Sequence, residues 1–337
     1  MNTVNYVDFT FDNLQLSNLI NAGFDDAVAL DEVAPLQSIA TAGSLPDHVR
    51  QHISAAIADN TRRAYQSDLA DFYRWGGVVP CSPELLATYL SFRADKLSPV
   101  TLTRRVVAIS RAHLSLGFSD PAKTDLVRTV LRGIRRKNRS AQRQVKPLLK
   151  DNLLSMLPNM TGVIGMRDRA LILLGFSAAL RRSELVALDY TDLAFVHEGL
   201  VLTVRHSKTD QDGQGRKIGV PYGRTSACPV KALRAWIEHA QIDSGAVFRS
   251  VRKSGIVGSR LSAQAVAEIV KARVQAIGLQ ANEFSGHSLR AGLVTSAAQA
   301  GIAMHKIMAQ TGHRSTAIVA LYIRDAEIFT NNAGSVL

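Results

Sequence analysis

The chain has 337 residues, enough for two domains with separate cores, and 46% of them are hydrophobic. No uninterrupted apolar run approaches the length that crosses a membrane, and Met1-Asn2-Thr3-Val4 lacks the basic end and apolar run of a signal peptide, so a soluble cytoplasmic protein is expected. The net charge of +12 is more informative, because an excess of that size points to a polyanion partner, with nucleic acid the first candidate.

The charge is unevenly spread. Residues 1–49 contain no Lys or Arg but seven acids (Asp8, Asp12, Asp25, Asp26, Asp31, Glu32 and Asp47), which leaves the rest of the chain more basic than the total. Residues 1–45 therefore read as an acidic N-terminal segment, a tail or a docking segment for a neighbouring subunit, with direct DNA contact disfavoured by its sign. From 46 to 138 the pattern predicts five helices, roughly 46–58, 61–75, 83–95, 99–116 and 123–138, broken by Asp59-Asn60, Gly76-Gly77, Ser98-Pro99 and Gly117 to Pro121. Asn60 is expected to cap the second helix, whose Leu69, Phe72 and Tyr73 form a core face. A basic run, including Arg132, Arg135, Arg136, Lys137, Arg139, Arg143 and Lys146, follows, and residues 139–146 read as a linker that tracks phosphates.

The remainder, 147–337, is predicted to be mixed but mainly helical. Leu200 to Arg205 reads as a strand, and a polar Gly-rich turn returns to Lys217-Ile218-Gly219-Val220 as a hairpin, with Ala246-Val247-Phe248 a third strand. Cys81 and Cys228 are too isolated for a disulfide framework or a zinc cluster and are expected to be reduced packing residues.

Residues 285–322 concentrate the chemistry. Gly286-His287-Ser288-Leu289-Arg290 starts one apolar helical segment (291–300), Gly301 separates it from a second (303–310), and Thr311-Gly312-His313 and Leu321-Tyr322-Ile323-Arg324 follow. In a helix His287 and Arg290 share a face, and a guanidinium fork beside an imidazole suits a phosphate. A tyrosine near such cations is a candidate nucleophile. Taken alone, the same residues also fit a solvated helix face or a helix-turn-helix DNA reader.

The ordered set of His287-x-x-Arg290, Gly312-His313 and a tyrosine nine residues on resembles the tyrosine recombinase and integrase family, and its flanks resemble the Cre-related branch. Upstream, Ala179-Leu180-Arg181-Arg182-Ser183-Glu184-Leu185 resembles the family's first catalytic motif. That match implies a phosphate-binding role for Arg181 and a supporting role for the acid Glu184. Lys208, in Arg205-His206-Ser207-Lys208-Thr209, matches the family's hairpin lysine, implying a general acid for the leaving 5′ oxygen. His313 stands where the family admits His or Trp.

Asn60-Thr61-Arg62-Arg63-Ala64-Tyr65 with Asp68-Leu69 and Trp75 resembles the start of the family's core-binding domain, which implies that Arg62, Arg63, Arg104 and Arg105 face a major groove. In Leu261-Ser262-Ala263-Gln264-Ala265-Val266, Gln264 stands where the Cre branch has a base-reading arginine, and glutamine favours adenine.

The resemblance runs from about Pro46 to Tyr322 and implies a mainly α fold: a helical core-binding domain and a mainly helical catalytic domain with a small antiparallel sheet, clamping DNA. It further implies a site-specific recombinase that forms a 3′-phosphotyrosyl intermediate through Tyr322 and a Holliday junction. It would act as a homotetramer on two double-stranded DNA sites with inverted repeats, with no cofactor and no metal. Ile328, Phe329, Val336 and Leu337 are candidate anchors for a neighbouring subunit. A bacterial, plasmid- or phage-encoded, nucleoid-associated protein is implied. A type IB topoisomerase, a non-catalytic DNA reader and a basic scaffold remain as rivals.

Overall fold

Two serines placed directly before prolines set the rhythm of the N-terminal half. Ser82 and Ser98 each accept a backbone N–H of the following turn, from Leu85 at 3.3 Å and Thr101 at 3.2 Å, and Pro83 and Pro99 occupy first helical positions where no N–H is needed. The computed structural model describes residues 57–138, 145–205, 215–317, 319, 320 and 322, together with Pro46, His48 and His52. The chain divides between Arg143 and Gln144 into two compact units.

The first unit contains α1 (Asp59–Arg74), α2 (Pro83–Arg93), α3 (Pro99–Ser115) and α4 (Asp125–Lys137). Leu69, Phe72, Tyr89, Leu90, Leu102, Ile109 and Val127 close its core, with Phe72 edge-on to Tyr89 at 5.0 Å. Helix α1 begins at Asp59 with Ala58 as its cap, so Asn60 lies inside the first turn, where its Oδ1 accepts from Arg63 at 2.8 Å. The helix therefore begins two residues earlier than the Asn60 cap would place it, and no side chain caps its first turn. Most of the helix expected over 46–58 lies outside the described residues, and Ile57 and Ala58 are not helical.

The second unit contains α5 (Lys150–Met156), α6 (Gly162–Ser177), α7 (Arg182–Ala187), β1 (Leu193–Val196), β2 (Gly199–Val204) and β3 (Arg216–Pro221). It continues with α8 (Pro229–His239), β4 (Arg249–Val251), β5 (Val257–Arg260), α9 (Ala263–Gln275), α10 (His287–Gln299) and α11 (Met304–Thr311). Helix α6 carries an unbroken buried run from Ala170 to Gly175, the signature of a central helix, and it packs against α8 and α10. Trp236 of α8 is fully buried, and its indole N–H donates to the Val247 carbonyl at 2.8 Å.

Strands β2 and β3 pair antiparallel, with Leu202 opposite Ile218, as the hairpin pattern predicts. The third strand of that sheet is not 246–248 but β1, which pairs with β2 through Phe195 and Leu200. Ala246 makes one isolated bridge to Asp189, while Val247 and Phe248 are wholly buried. Their apolar run reports burial, which a short sequence does not distinguish from strand pairing. Cys81 and Cys228 are free thiols, and burial pushes the Cys81 thiol up to about 11.

Candidate active site

Helix α6 ends at Ser177, and the chain turns through Ala179, a buried non-glycine residue in the left-handed region at φ 50°. Such a conformation costs on the order of 1–3 kcal/mol and is kept only where the surroundings fix it. Here the turn aims the Ala179 carbonyl at Arg290, whose Nη1 donates to it at 2.9 Å, and delivers Arg181 to the start of α7.

Glu184, in the first turn of α7, takes the Arg181 backbone N–H on Oε2 at 3.0 Å and the Arg181 guanidinium on Oε1 at 2.6 Å. Its side chain is 2% exposed, so these bonds decide its state. Burial acts to raise the carboxyl pKa, but the Arg181 backbone and side-chain donors, helped by Arg216, hold it below the ordinary carboxylate range.

Arg216 opens β3 and lies between two distant segments. Its Nη2 reaches Glu184 Oε2 at 3.3 Å and its Nη1 donates to the Gln310 carbonyl at 3.0 Å. The Gln310 amide in turn donates to Ser177 O at 2.8 Å and Gly219 O at 3.1 Å. One residue of α11 thus ties the end of α6 to β3.

Helix α10 starts at His287 because Ser285 and Ser288 occupy its entry. Ser285 Oγ accepts the His287 N–H at 3.2 Å, and Ser288 Oγ accepts the Ser285 N–H at 3.0 Å. The three-residue spacing then sets His287 and Arg290 on one face. Arg290 is 1% exposed, and its Nη2 is enclosed without a hydrogen-bond partner. Burial, with Arg181 beside it, pushes the Arg290 guanidinium down to about 10. At neutral pH it remains a cation.

Helix α11 ends at Gly312, in the left-handed region at φ 68°. The backbone conformation favours glycine, and a Cβ there would lie 2.9 Å from Arg216 Nη1 and displace that guanidinium. The turn presents His313, whose Nδ1 is 2.8 Å from Thr311 Oγ1. Burial, followed by the charges of Arg290, Arg181, His287 and Arg216, pushes the His313 imidazole down to about 4. His287 is lowered for the same reason, burial first, then Arg290 and Arg181. Both imidazoles are neutral at neutral pH.

Tyr322 packs its ring against the small cluster of Val294, Ala298, Ile307 and Val319, and its hydroxyl lies 3.2 Å from His287 Nε2. Burial raises the phenol pKa, and Arg290 opposes that shift without reversing it. The resting tyrosine is protonated.

Six of the seven residues that sequence reasoning assigned to the site converge here: Arg181, Glu184, His287, Arg290, His313 and Tyr322. Lys208 lies outside the described residues. Arg216 and Gln310 were not anticipated, since neither has a signal in local pattern. Among the described residues no cluster of three or more His, Cys, Asp or Glu is placed to hold a metal, and no helix is long and apolar enough to cross a membrane.

The candidate DNA-reading residues differ in setting. Arg63 and Gln264 are exposed, bonded to neighbours on their own helices, Asn60 and Glu268 respectively. Arg62 is half-buried, with Nη2 directed at the Ile57 carbonyl at 3.3 Å. Arg104 is exposed and grips buried Asp68 through two bonds of 2.7 and 2.9 Å. Arg105 is turned inward, bonded to Asp71 and the Tyr89 hydroxyl, so its guanidinium is part of the first unit's interior. Arg135 is exposed and donates to Thr103 Oγ1 at 3.1 Å.

A helical fold with a small sheet, holding a tyrosine hydroxyl among buried cations, is that of a DNA strand-transferring enzyme, and comparison with known proteins gives the family. The phage integrase family model matches residues 146–327. The chain is 42% identical over 296 residues to an integrase/recombinase XerD homolog of Selenomonas ruminantium, covering 84% of this chain and 87% of that relative. It is 25% identical over 270 residues to recombinase Cre of Escherichia phage P1, covering 74% and 77% of the two chains. Among solved structures it resembles the XerH site-specific recombinase in a post-cleavage complex with palindromic difH substrate. The TM-score is 0.61 at 17% identity over 86% of this chain and 83% of that one. A lambda integrase tetramer bound to a Holliday junction matches with a TM-score of 0.59 at 19% identity, over 82% and 75% of the two chains. The chain belongs to the phage integrase family, the tyrosine recombinases.

Proposed function

We propose that this recombinase cleaves and rejoins duplex DNA at specific sites by attack of Tyr322 on a backbone phosphate, giving a 3′-phosphotyrosyl link and a free 5′ hydroxyl. The observation that carries the reading is the Tyr322 hydroxyl 3.2 Å from His287 Nε2, on a helix whose next turn supplies the buried Arg290. A neutral imidazole accepts the phenol proton as the P–O bond forms, which answers the raised pKa of a buried tyrosine. Arg181 and Arg290 neutralise charge on the non-bridging oxygens of the pentacoordinate phosphorus. The partnerless Nη2 of Arg290 is a buried donor of the kind that an oxygen ligand satisfies. Glu184 holds Arg181 in place, His313 is a further phosphate partner, and Lys208 protonates the departing 5′ oxygen.

Attack by a second strand's hydroxyl reverses the step, so ester energy is exchanged and neither a metal nor a cofactor takes part. Strand exchange proceeds through a Holliday junction in a homotetramer on two inverted-repeat sites, a reading supported by the lambda integrase tetramer whose fold this chain shares. Each unit contributes residues to DNA contact. Arg62, Arg63, Arg104 and Arg135 contact its backbone or groove, and Gln264 reads a base. Arg105 holds α3 to α1 and α2 instead. The Thr311-Gly312-His313 and Tyr322-Ile323-Arg324 flanks support a Cre-like arrangement of the site within a chain of greater overall identity to the XerD homolog.

The test uses end-labelled duplexes carrying the protein's own binding site, with a nick beside each candidate cleavage position to trap the intermediate. Wild type is expected to give a protein-linked 3′ end on a denaturing gel, and Tyr322→Phe none. An undiminished adduct in the mutant would assign the nucleophile elsewhere. Relaxation of supercoiled plasmid without recombinant products would move the chain to the topoisomerase class.

A further inference from the structure

The two contacts of Thr311 Oγ1 fix which nitrogen of His313 carries a proton. Oγ1 lies 2.8 Å from the Ile307 carbonyl and 2.8 Å from His313 Nδ1, and a third contact, to the Met308 carbonyl, is longer at 3.4 Å. A threonine hydroxyl has one hydrogen, and a carbonyl oxygen only accepts. If the hydroxyl donated to Nδ1, the approach to Ile307 O would set lone pair against lone pair. If it donates to Ile307 O, Nδ1–H donates to Oγ1, and both short contacts are hydrogen bonds. Thr311 is fully buried, so water does not offer a substitute partner.

We propose that Thr311 is a positioning residue for the strand-transfer reaction: it holds neutral His313 as the Nδ1–H tautomer, leaving the lone pair on Nε2. Its catalytic consequence rests on the recombinase reading above. His313 then meets DNA as a proton acceptor. A bond from Nε2 to a phosphate oxygen requires His313 first to take a proton, making the imidazole a cation when negative charge gathers on the phosphorus. The groups facing His313 are Arg290, Arg181, His287 and Arg216, with Glu184 behind the arginines and Tyr322 at His287. The cations oppose that proton in the free protein, whereas a bound phosphate favours it. Phosphate engagement and proton uptake are coupled through a hydroxyl two residues away.

The full-length protein, labelled with ¹⁵N-histidine, is examined at neutral pH without DNA by long-range ¹H–¹⁵N correlation, with His313 assigned by its loss in His313→Gln. Wild type is expected to show protonated Nδ1 and unprotonated Nε2, Thr311→Ser the same, and Thr311→Val a shift toward Nε2–H. Single-turnover adduct formation on nicked duplex is then followed against pH. Thr311→Val should flatten the alkaline decline that protonation of His313 imposes, and Thr311→Ser should restore it. Protonated Nε2 in the wild type, or a pattern unchanged in folded Thr311→Val, would overturn the proposal even if Thr311→Ser were unfolded. Because the tautomer is read without DNA, a wild type that shows Nδ1–H but forms no adduct refutes the recombinase mechanism while upholding the tautomer.

Discussion

Replacing Arg216 by methionine removes a guanidinium that joins the supporting acid to the end of α11 while keeping an unbranched stem of similar width. The bond to Glu184 is charge-assisted at 3.3 Å, with side-chain exposures of 19% and 2%, and such bonds contribute about 1.5–3 kcal/mol. The bond to the Gln310 carbonyl, at 3.0 Å, adds about 1 kcal/mol. Two features offset this: Arg216 Nε is buried without a partner, and Arg181 repels the cation. Glu184 keeps both bonds from Arg181, so it is not left unpaired. The net loss is about 2 kcal/mol, confined to the second unit. The chain's two tryptophans make this measurable, because Trp75 lies in the first unit and Trp236 in the second. In a Trp75→Phe background, urea unfolding followed by Trp236 fluorescence reports the unit that carries the substitution. Adduct formation on nicked duplex should fall at least ten-fold, with DNA affinity much less affected. A urea midpoint and an adduct rate both equal to those of the parent would refute the bridging role.

Gly292→Ala should destabilise the second unit by about 1–3 kcal/mol, since the new Cβ would lie 1.9 Å from the Leu148 carbonyl and the backbone must give way. Adduct formation should also fall, because α10 carries His287 and Arg290; a wild-type urea midpoint would contradict the close approach. For His313, the folded imidazole is pushed down to about 4 from the ordinary 6.5, so the unfolded chain binds the proton more readily. Stability attributable to this residue is intact above about 6.5 and is lost as pH falls toward 4. The loss in urea midpoint between pH 7 and pH 5 should therefore be smaller in His313→Gln than in wild type, and equal losses would count against burial of a neutral ring.

Much of the site was legible in the sequence because its members obey short-range rules. His287 and Arg290 share a face by helical spacing, and Gly312 stops a helix where a left-handed residue is needed. Arg216 escaped because its role exists only in three dimensions, between residues 32 and 94 positions away. Strand β1 escaped because its four residues carry too little alternation to stand out from a loop. The pair Arg104 and Arg105 shows the reverse case, a distinction present in the sequence but not drawn from it. Adjacent helical residues point about 100° apart, so the two arginines take different settings, and Arg105 is the one that bonds Asp71 inside the first unit.

Gln310 gives the site the mechanics of a truss. Its side chain is pinned to the end of α6 and to β3, and its carbonyl is pinned by Arg216, so the turn bearing Arg181 and the end of α11 behave as one rigid frame. Tyr322 lies twelve residues beyond that last joint. Among the described residues it meets the frame's side of the site through a single hydrogen bond to His287 and through apolar packing against α10 and α11. The bonds that brace the end of α6, β3 and the end of α11 involve no residue beyond Gly312. Bracing and reach are thereby divided between different stretches of chain, and a substitution at Tyr322 leaves in place every bond that braces Arg181 and the end of α11.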